Sequence, residues 1–219
     1  MTWFAHHIFT LPTKGMVKRL DKNSVLSKSI YWVRDLSEYK WFDPKTQHDL
    51  PSGGLLVIRP VGDPDGQYSF WYKGEESIVS WLSFKGANDT EIEIVPSQVH
   101  EDNPDFNLSD YPPISFLKWL KGLSVVTKTT TAYYHCEMWG GDVELEYSWV
   151  FTPNEVVYSF VSFDENTSKL IEYRPDKPKE TKKGDVLVET VKHFGLNLPT
   201  PYFALHTRSF PWHKYKYNV

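Results

Sequence analysis

Hydrophobic and polar residues alternate most regularly along residues 127–151, TKTTTAYYHCEMWGGDVELEYSWVF. Two runs rich in β-branched and aromatic residues flank Gly140-Gly141, and a Gly-Gly pair between such runs is typical of a β-hairpin. Side chains alternate between the two faces of a strand, so the position of the turn decides which residues share a face. The pattern therefore predicts a hairpin centred on the glycine pair.

A four-residue turn over 139–142 gives this hairpin one apolar face and one polar face. The apolar face then consists of cross-strand pairs that are mostly aromatic or aliphatic: Trp139 with Asp142, Met138 with Val143, Cys136 with Leu145, Tyr134 with Tyr147, Ala132 with Trp149 and Thr130 with Phe151. The opposite face pairs Glu137 with Glu144 and His135 with Glu146. We expect this register because a slip by one residue would place acids among the aromatic rings.

Shorter periodic runs fill the rest of the chain. They predict strands at 3–11, 29–36, 55–61, 67–73, 78–84, 90–95, 156–163 and 169–174, with a turn at Pro153-Asn154 that pairs Phe151 with Val156 and Trp149 with Tyr158. Helices are predicted at 114–123, and at 185–194 between a capping Asp185 and Gly195. Residues 16–23 are predicted as a loop or a short helical turn, and residues 96–113 and 175–183 as loops.

These elements predict an α+β fold, mainly an antiparallel β meander whose curved sheet is packed by about two helices. A chain of 219 residues is expected to form a single domain over 1–219, with a weak boundary within 96–113. The aromatic fraction of 16%, including 9 Trp, fits a sheet protein, because flat rings pack well on pleated surfaces. Along the tail, residues 206–219, aromatic and basic residues interleave, which predicts an arm that packs its rings on the sheet and presents lysines outward.

Charge and cysteine content narrow the classes of function. A net charge of −4 argues against a nucleic acid or an anionic membrane as the main partner and allows a more basic protein partner. A single cysteine excludes an intrachain disulfide framework and suits a reducing cytoplasm, where we expect the protein to be located. Neither a signal peptide nor an apolar run of membrane-spanning length is evident, so no membrane contact is predicted.

The polar face of the hairpin is the main candidate site. Carboxylates directly opposite each other repel, so the predicted pair of Glu137 and Glu144 needs compensation. A bound cation, a basic partner, an internal Lys or Arg, or a raised carboxyl pKa would each supply it. Alternatively, both side chains point into water, which screens the repulsion. Paired carboxylates beside an imidazole are also typical of acid–base catalysis. The catalytic candidates are therefore His135, Glu137, Glu144 and Glu146, and the candidate binding residues are Trp139, Asp142, Glu137 and Glu144.

Other kinds of site receive little support from the sequence. The eight histidines show no metal-ligand spacing, and the adjacent His6 and His7 would point to opposite faces of a strand, so no metal site and no cofactor are predicted. Cys136 falls on the face opposite His135 and is expected to be a core residue, and no nucleophile-elbow motif occurs.

Three classes of function remain open. The first is a non-catalytic protein-interaction domain of the immunity or inhibitor type, which presents an acidic, aromatic surface around the hairpin tip to a basic partner. The second is a hydrolase or isomerase that uses Glu137, Glu144 or Glu146 with His135. The third is a module that binds a small ligand or a carbohydrate on its Trp and Tyr rings. No motif fixes a reaction, which favours the non-catalytic class.

Overall fold

The computed structural model describes residues 3–22, 26–35, 50–59, 114–139, 142–154, 156–162, 169–174, 177–196 and 210–217. Within these ranges the side chains of a few residues, Trp139 and Asp142 among them, are not described. The predicted strands at 67–73, 78–84 and 90–95 and the predicted loop at 96–113 lie outside the described residues.

The described chain forms an open antiparallel sheet of eight strands. The strands are β1 (Trp3–Thr10), β2 (Ile30–Val33), β3 (Leu55–Ile58), β4 (Thr131–Trp139), β5 (Asp142–Phe151), β6 (Val157–Ser162), β7 (Lys169–Arg174) and β8 (Lys177–Lys183). Their order is β2-β3-β1-β4-β5-β6-β7-β8. The last five strands form a meander, whereas β1 inserts between β3 and β4. The predicted α+β architecture is confirmed.

Three α-helices accompany the sheet in the described ranges: α1 (Lys14–Asp21), α2 (Ile114–Thr127) and α3 (Val186–Lys192). Asp185 caps α3 by accepting a hydrogen bond from the Val188 amide at 3.1 Å, and Gly195 follows with φ of 77°, as predicted. Helix α2 continues beyond the predicted end at 123, because Leu123 and Ser124 are still buried against the sheet. None of the described helices combines the length and the apolarity needed to span a membrane.

Both faces of the sheet are buried, which contradicts the predicted division into an apolar and a polar face. Helices α1 and α2 cover one face, which we call the α2 face, over a core that includes Ile8, Tyr133, Tyr147 and Trp149. Helix α3 and residues 210–217 cover the other, the α3 face, over a core of Phe9, Ala132, Tyr134, Val150 and Phe160. The central strands therefore carry aromatic residues on both sides, and alternation alone does not distinguish the two faces.

The hairpin register is correct only at its tip. Trp139 pairs with Asp142 and Met138 with Val143, as predicted. The register then shifts by one residue: Glu144 has no opposite residue, Glu137 faces Leu145, and the deeper pairs are Cys136 with Glu146, His135 with Tyr147 and Tyr133 with Trp149. Such a β-bulge leaves the extra residue out of the ladder. The predicted pairs Glu137–Glu144 and His135–Glu146 are therefore wrong, because the bulge leaves Glu144 in solvent.

Two further predictions about the meander are corrected. The β5–β6 register is also one residue off, with Phe151 opposite Val157 and Trp149 opposite Ser159. The connection spans five residues, and Thr152 closes it with its amide 3.0 Å and its hydroxyl 3.2 Å from the Val156 carbonyl oxygen. Residues 177–183 were expected in a loop but form edge strand β8, whose charged side chains are mostly exposed, as suits an unpaired sheet edge.

Gly54 and Gly195 both have positive φ, but only Gly54 is also confined by neighbouring atoms. A Cβ at Gly54 would lie 2.4 Å from the Val33 carbonyl oxygen, whereas a Cβ at Gly195 would meet nothing within 4 Å. We expect Gly195→Ala to lower the free energy of unfolding by about 1 kcal/mol, the usual cost of a left-handed alanine. Gly54→Ala should cost about 3 kcal/mol or more, because β2 must also move. Urea denaturation measures both, and equal losses would contradict the close approach of Gly54 to β2.

Candidate functional site

The pairing of β1 with β4 places two histidines directly opposite each other. His6 faces His135 in this ladder, and opposite residues project from the same side of a sheet. His135 is almost completely buried, at 2% exposure, and its ring stacks on Tyr147 with a centroid distance of 4.5 Å. His6 is only half-buried. The pair therefore leads from the interior of the α2 face toward solvent.

Four side chains form a continuous hydrogen-bonded array on this face, which we call the histidine chain: Tyr133, His6, His135 and Glu137. His135 Nε2 lies 2.9 Å from Glu137 Oε1, and His135 Nδ1 lies 3.1 Å from His6 Nδ1. The Tyr133 hydroxyl lies 2.8 Å from His6 Nδ1. The three residues from β4 occupy alternate positions, so the strand geometry itself places them side by side.

The protons in the histidine chain follow from the inventory of donors and acceptors. An ionised Glu137 can only accept, so His135 donates its Nε2–H and keeps a lone pair on Nδ1. His6 must then carry its proton on Nδ1 and donate it toward His135, with the Tyr133 oxygen as a second neighbour. This tautomer leaves the lone pair of His6 on Nε2. Tyr133 and His135 both contact the other ring nitrogen, Nδ1.

Burial sets the charge state of the histidine chain. Desolvation lowers the pKa of His135 to about 3. Desolvation and the neighbouring His135 hold the pKa of His6 well below its usual value. Burial raises the pKa of Glu137, whose side chain is 22% exposed. Both imidazoles are therefore neutral at physiological pH, and the carboxyl holds a proton more firmly than an exposed glutamate does.

Glu146 lies on the opposite face and has a different environment. It is 6% exposed, and the Tyr134 hydroxyl donates to its Oε1 at 2.5 Å. The backbone N–H groups of Val186 and Leu187, at the start of α3, also donate to it. Burial and the nearby Asp185 raise the pKa of Glu146 to about 8. Glu146 thus joins β5 to the first turn of α3 in a closed, internal contact.

The structure separates the residues that the sequence grouped together. It brings His135 and Glu137 into contact, but it places Glu146 on the α3 face and Glu144 in solvent at the bulge. The Trp139 and Asp142 side chains lie outside the described residues. His6 and Tyr133, which the sequence analysis did not propose as site residues, complete the site. Only the distant pairing of β1 with β4 reveals them, and no local pattern signals it.

Metal and thiol chemistry find no support in the described residues. No group of three or more His, Cys, Asp or Glu among them is arranged to hold a metal ion. His6 and His7 do point to opposite faces, since His7 packs against Tyr134 and Trp212. Cys136 is fully buried, and burial raises the pKa of its thiol well above the usual value, so it is a core residue, as expected.

The buried Glu146 predicts a pH dependence of stability. Its folded-state pKa lies above the unfolded value, so its favourable contribution is complete below about pH 4 and is lost as the pH rises through about 8. We expect the Glu146 contribution to stability to fall by a few kcal/mol across this interval, because the unfolded chain ionises first, whereas the lowered pKa values of His6 and His135 act in the opposite direction below about pH 6.5. The free energy of unfolding of the wild type minus that of Glu146→Gln, measured in urea at several pH values, should therefore decrease as the pH rises. The exposed Glu144→Gln is the matched control and should keep the wild-type slope; a slope unchanged in Glu146→Gln would contradict the assignment.

Comparison with known proteins assigns no family to this geometry. No protein-family model matches the chain, and neither a curated protein nor a solved structure matches it. The chemistry of the described side chains, above all the histidine chain with its half-buried members His6 and Glu137, is therefore what points to a function.

Proposed function

We propose that the histidine chain is an acid–base site and that the protein is an enzyme of the hydrolase or isomerase class. The observation that carries the proposal is the unbroken series of contacts from His6 through His135 to Glu137. Both ends are half-buried and the middle is closed to solvent. A substrate or an attacking water at His6 can therefore exchange a proton with a carboxyl group two side chains away.

The relay proceeds by three proton transfers in one direction. His6 accepts a proton at Nε2 from a substrate carbon acid or from the attacking water. Its Nδ1 proton passes to Nδ1 of His135, and the Nε2 proton of His135 passes to Glu137. Both imidazoles end neutral with exchanged tautomers, and the proton resides on the carboxyl group. The reverse sequence returns it to the product, as acid–base catalysis requires.

The pKa shifts fit this relay. A buried imidazolium is unfavourable here, as the low pKa of His135 shows, so a mechanism that stored charge on this ring would be slow. Transfer to Glu137 instead neutralises an ionised carboxylate whose burial already raises its pKa. Tyr133 supports the reacting ring, because its hydroxyl holds Nδ1 of His6 and so limits rotation of the imidazole. A positioned base contributes about 10²–10⁴ in rate.

A protein-interaction role is the second proposal, and one observation favours it. The bulge holds the Glu144 carboxylate outside the ladder and in solvent, next to the hairpin tip. The acidic surface is smaller than the sequence predicted, because Glu146 is buried. A basic protein captured from the native host by the wild type and lost with Glu144→Lys would support this role; equal capture would exclude Glu144 from the contact.

The sugar-binding alternative depends on exposed aromatic rings. The Trp side chains that the structure describes, Trp32, Trp119, Trp149 and Trp212, are all buried or half-buried. These four rings pack against other rings and helices and offer no flat exposed platform for a sugar.

The acid–base proposal predicts hydrolysis of p-nitrophenyl acetate, an activated ester that responds to any accessible, oriented base. His6→Gln should lower the rate by about tenfold or more, because it removes the proton acceptor. Glu137→Gln should lower it less and should shift the pH profile, because the relay loses its terminal acceptor. The exposed His213→Gln removes an imidazole elsewhere and should leave the rate unchanged.

Circular dichroism of each variant confirms that the fold is retained. If His6→Gln does not fold, the rate and pH profile of Glu137→Gln test the proposal instead. This substitution is milder, because it replaces one oxygen of a half-exposed side chain by nitrogen. Equal rates in the wild type and in a folded His6→Gln would show that His6 is not the base.

A further inference from the structure

Arg59 lies on the α3 face, opposite to the histidine chain, and its guanidinium rests on aromatic rings. Its Cζ is 4.4 Å from the centroid of Trp212 and 5.8 Å from that of Tyr31. The segment 210–217 brings Trp212 to this position, because Lys216 forms a β-bridge with Tyr31 and the Tyr217 amide donates to the Ile30 carbonyl at 3.0 Å. As the sequence predicts, this segment buries its rings on the sheet and leaves Lys214 and Lys216 outside.

No anion among the described residues balances the charge of Arg59. In the described part of the chain its guanidinium makes no hydrogen bond and no ion pair, although the side chain is half-buried. Desolvation lowers its pKa, and only the nearby Tyr31 acts in the opposite direction. Arginine nevertheless stays protonated in proteins, so a positive charge with five N–H donors remains without a partner. A buried charge without a partner is costly.

A second donor at the same ring is also unused. The indole Nε1 of Trp212 is buried without a hydrogen-bond acceptor, and the residue is only 6% exposed. The Tyr215 hydroxyl, in the same aromatic cluster through Phe210, is likewise buried without a partner. Buried donors usually have acceptors. Among the described residues a cation and an indole N–H on one ring both lack an acceptor, and an oxyanion is a ligand that would suit them.

The other charged groups around this cluster are few in the described residues. Lys216 adds a second cation, with its Nζ 5.1 Å from the centroid of Tyr31. The carboxylate of Asp35 contributes to the raised pKa of Tyr215. It is not among the causes of the lowered pKa of Arg59. Lys216 thus adds a second positive charge beside the Tyr31 ring that Arg59 also contacts.

We propose that Arg59 and the Trp212 indole N–H form a binding site for a small oxyanion, either a carboxylate or a phosphate group. Contact with the Trp212 ring restricts the movement of the guanidinium, and a guanidinium offers parallel N–H groups that suit bidentate contact with an oxyanion. The ligand neutralises the half-buried charge and accepts the orphaned indole hydrogen. Binding should therefore stabilise the folded protein in proportion to ligand concentration.

Thermal unfolding and isothermal titration with inorganic phosphate and with acetate test the site, each at an ionic strength matched with sodium chloride. We expect one of the two anions to bind saturably with 1:1 stoichiometry and to raise Tm. Arg59→Gln should weaken that binding by about tenfold or more, because the bidentate donor is lost. Arg34→Gln is the matched control: Arg34 also lies over a ring, 4.1 Å from the centroid of Trp32, but is exposed. It should bind as the wild type does.

The outcomes separate the alternatives. Saturable binding of phosphate alone assigns a phosphate site, and of acetate alone a carboxylate site. Arg59→Lys keeps the charge without the planar fork, and if Arg59→Gln does not fold, a loss of about tenfold in the lysine variant supports the proposal. No saturable binding of either anion, or equal binding by the wild type and both Arg59 variants, would overturn it. These measurements use no ester substrate, so their result is independent of the histidine chain.

Discussion

Burial of the central strands on both faces is the constraint on which the rest of this structure depends. Strands β1, β4 and β5 lie between α1 and α2 on one side and α3 with residues 210–217 on the other. Where these strands are fully buried, bulk water cannot satisfy their polar groups on either side. Every polar side chain in the centre must therefore find a partner inside the protein or raise the free energy of folding.

The buried polar groups illustrate how the two faces meet this constraint. On the α2 face, His135 contacts His6 and Glu137, and both imidazoles stay neutral at physiological pH. On the α3 face, Glu146 uses Tyr134 and the first amides of α3, while Ser148 contacts Thr190 at 2.5 Å. The Glu146 contact is closed to solvent and anchors a helix, whereas the histidine chain reaches solvent at His6 and at Glu137. This difference in access is why only the histidine chain is proposed to do chemistry.

Among the described residues, Arg59 is a charged group that internal pairing leaves without an anion. Aromatic rings support its charge from the side, but they cannot accept its hydrogen bonds as an oxyanion would. The fold thus places two different kinds of polar site on opposite faces of one sheet. On the α2 face, the hydrogen-bond donors and acceptors of His6, His135 and Glu137 match one another, which suits proton transfer. On the α3 face two donors share a ring and lack an acceptor, which suits ligand binding.

The sequence by itself determined the α+β class, the meander, the hairpin tip, and helix α3 with its Asp185 cap and Gly195, because each follows from contacts between neighbouring residues. The opposite orientations of His6 and His7 also follow from strand alternation alone. Only the tertiary structure decided the bulge at Glu144, the one-residue shift that separates His135 from Glu146, and the pairing of β1 with β4 that joins His6 to His135. These depend on helices that cover both faces: once Tyr134 and Tyr147 can be buried on opposite sides, hydrophobic alternation no longer distinguishes one register from the next.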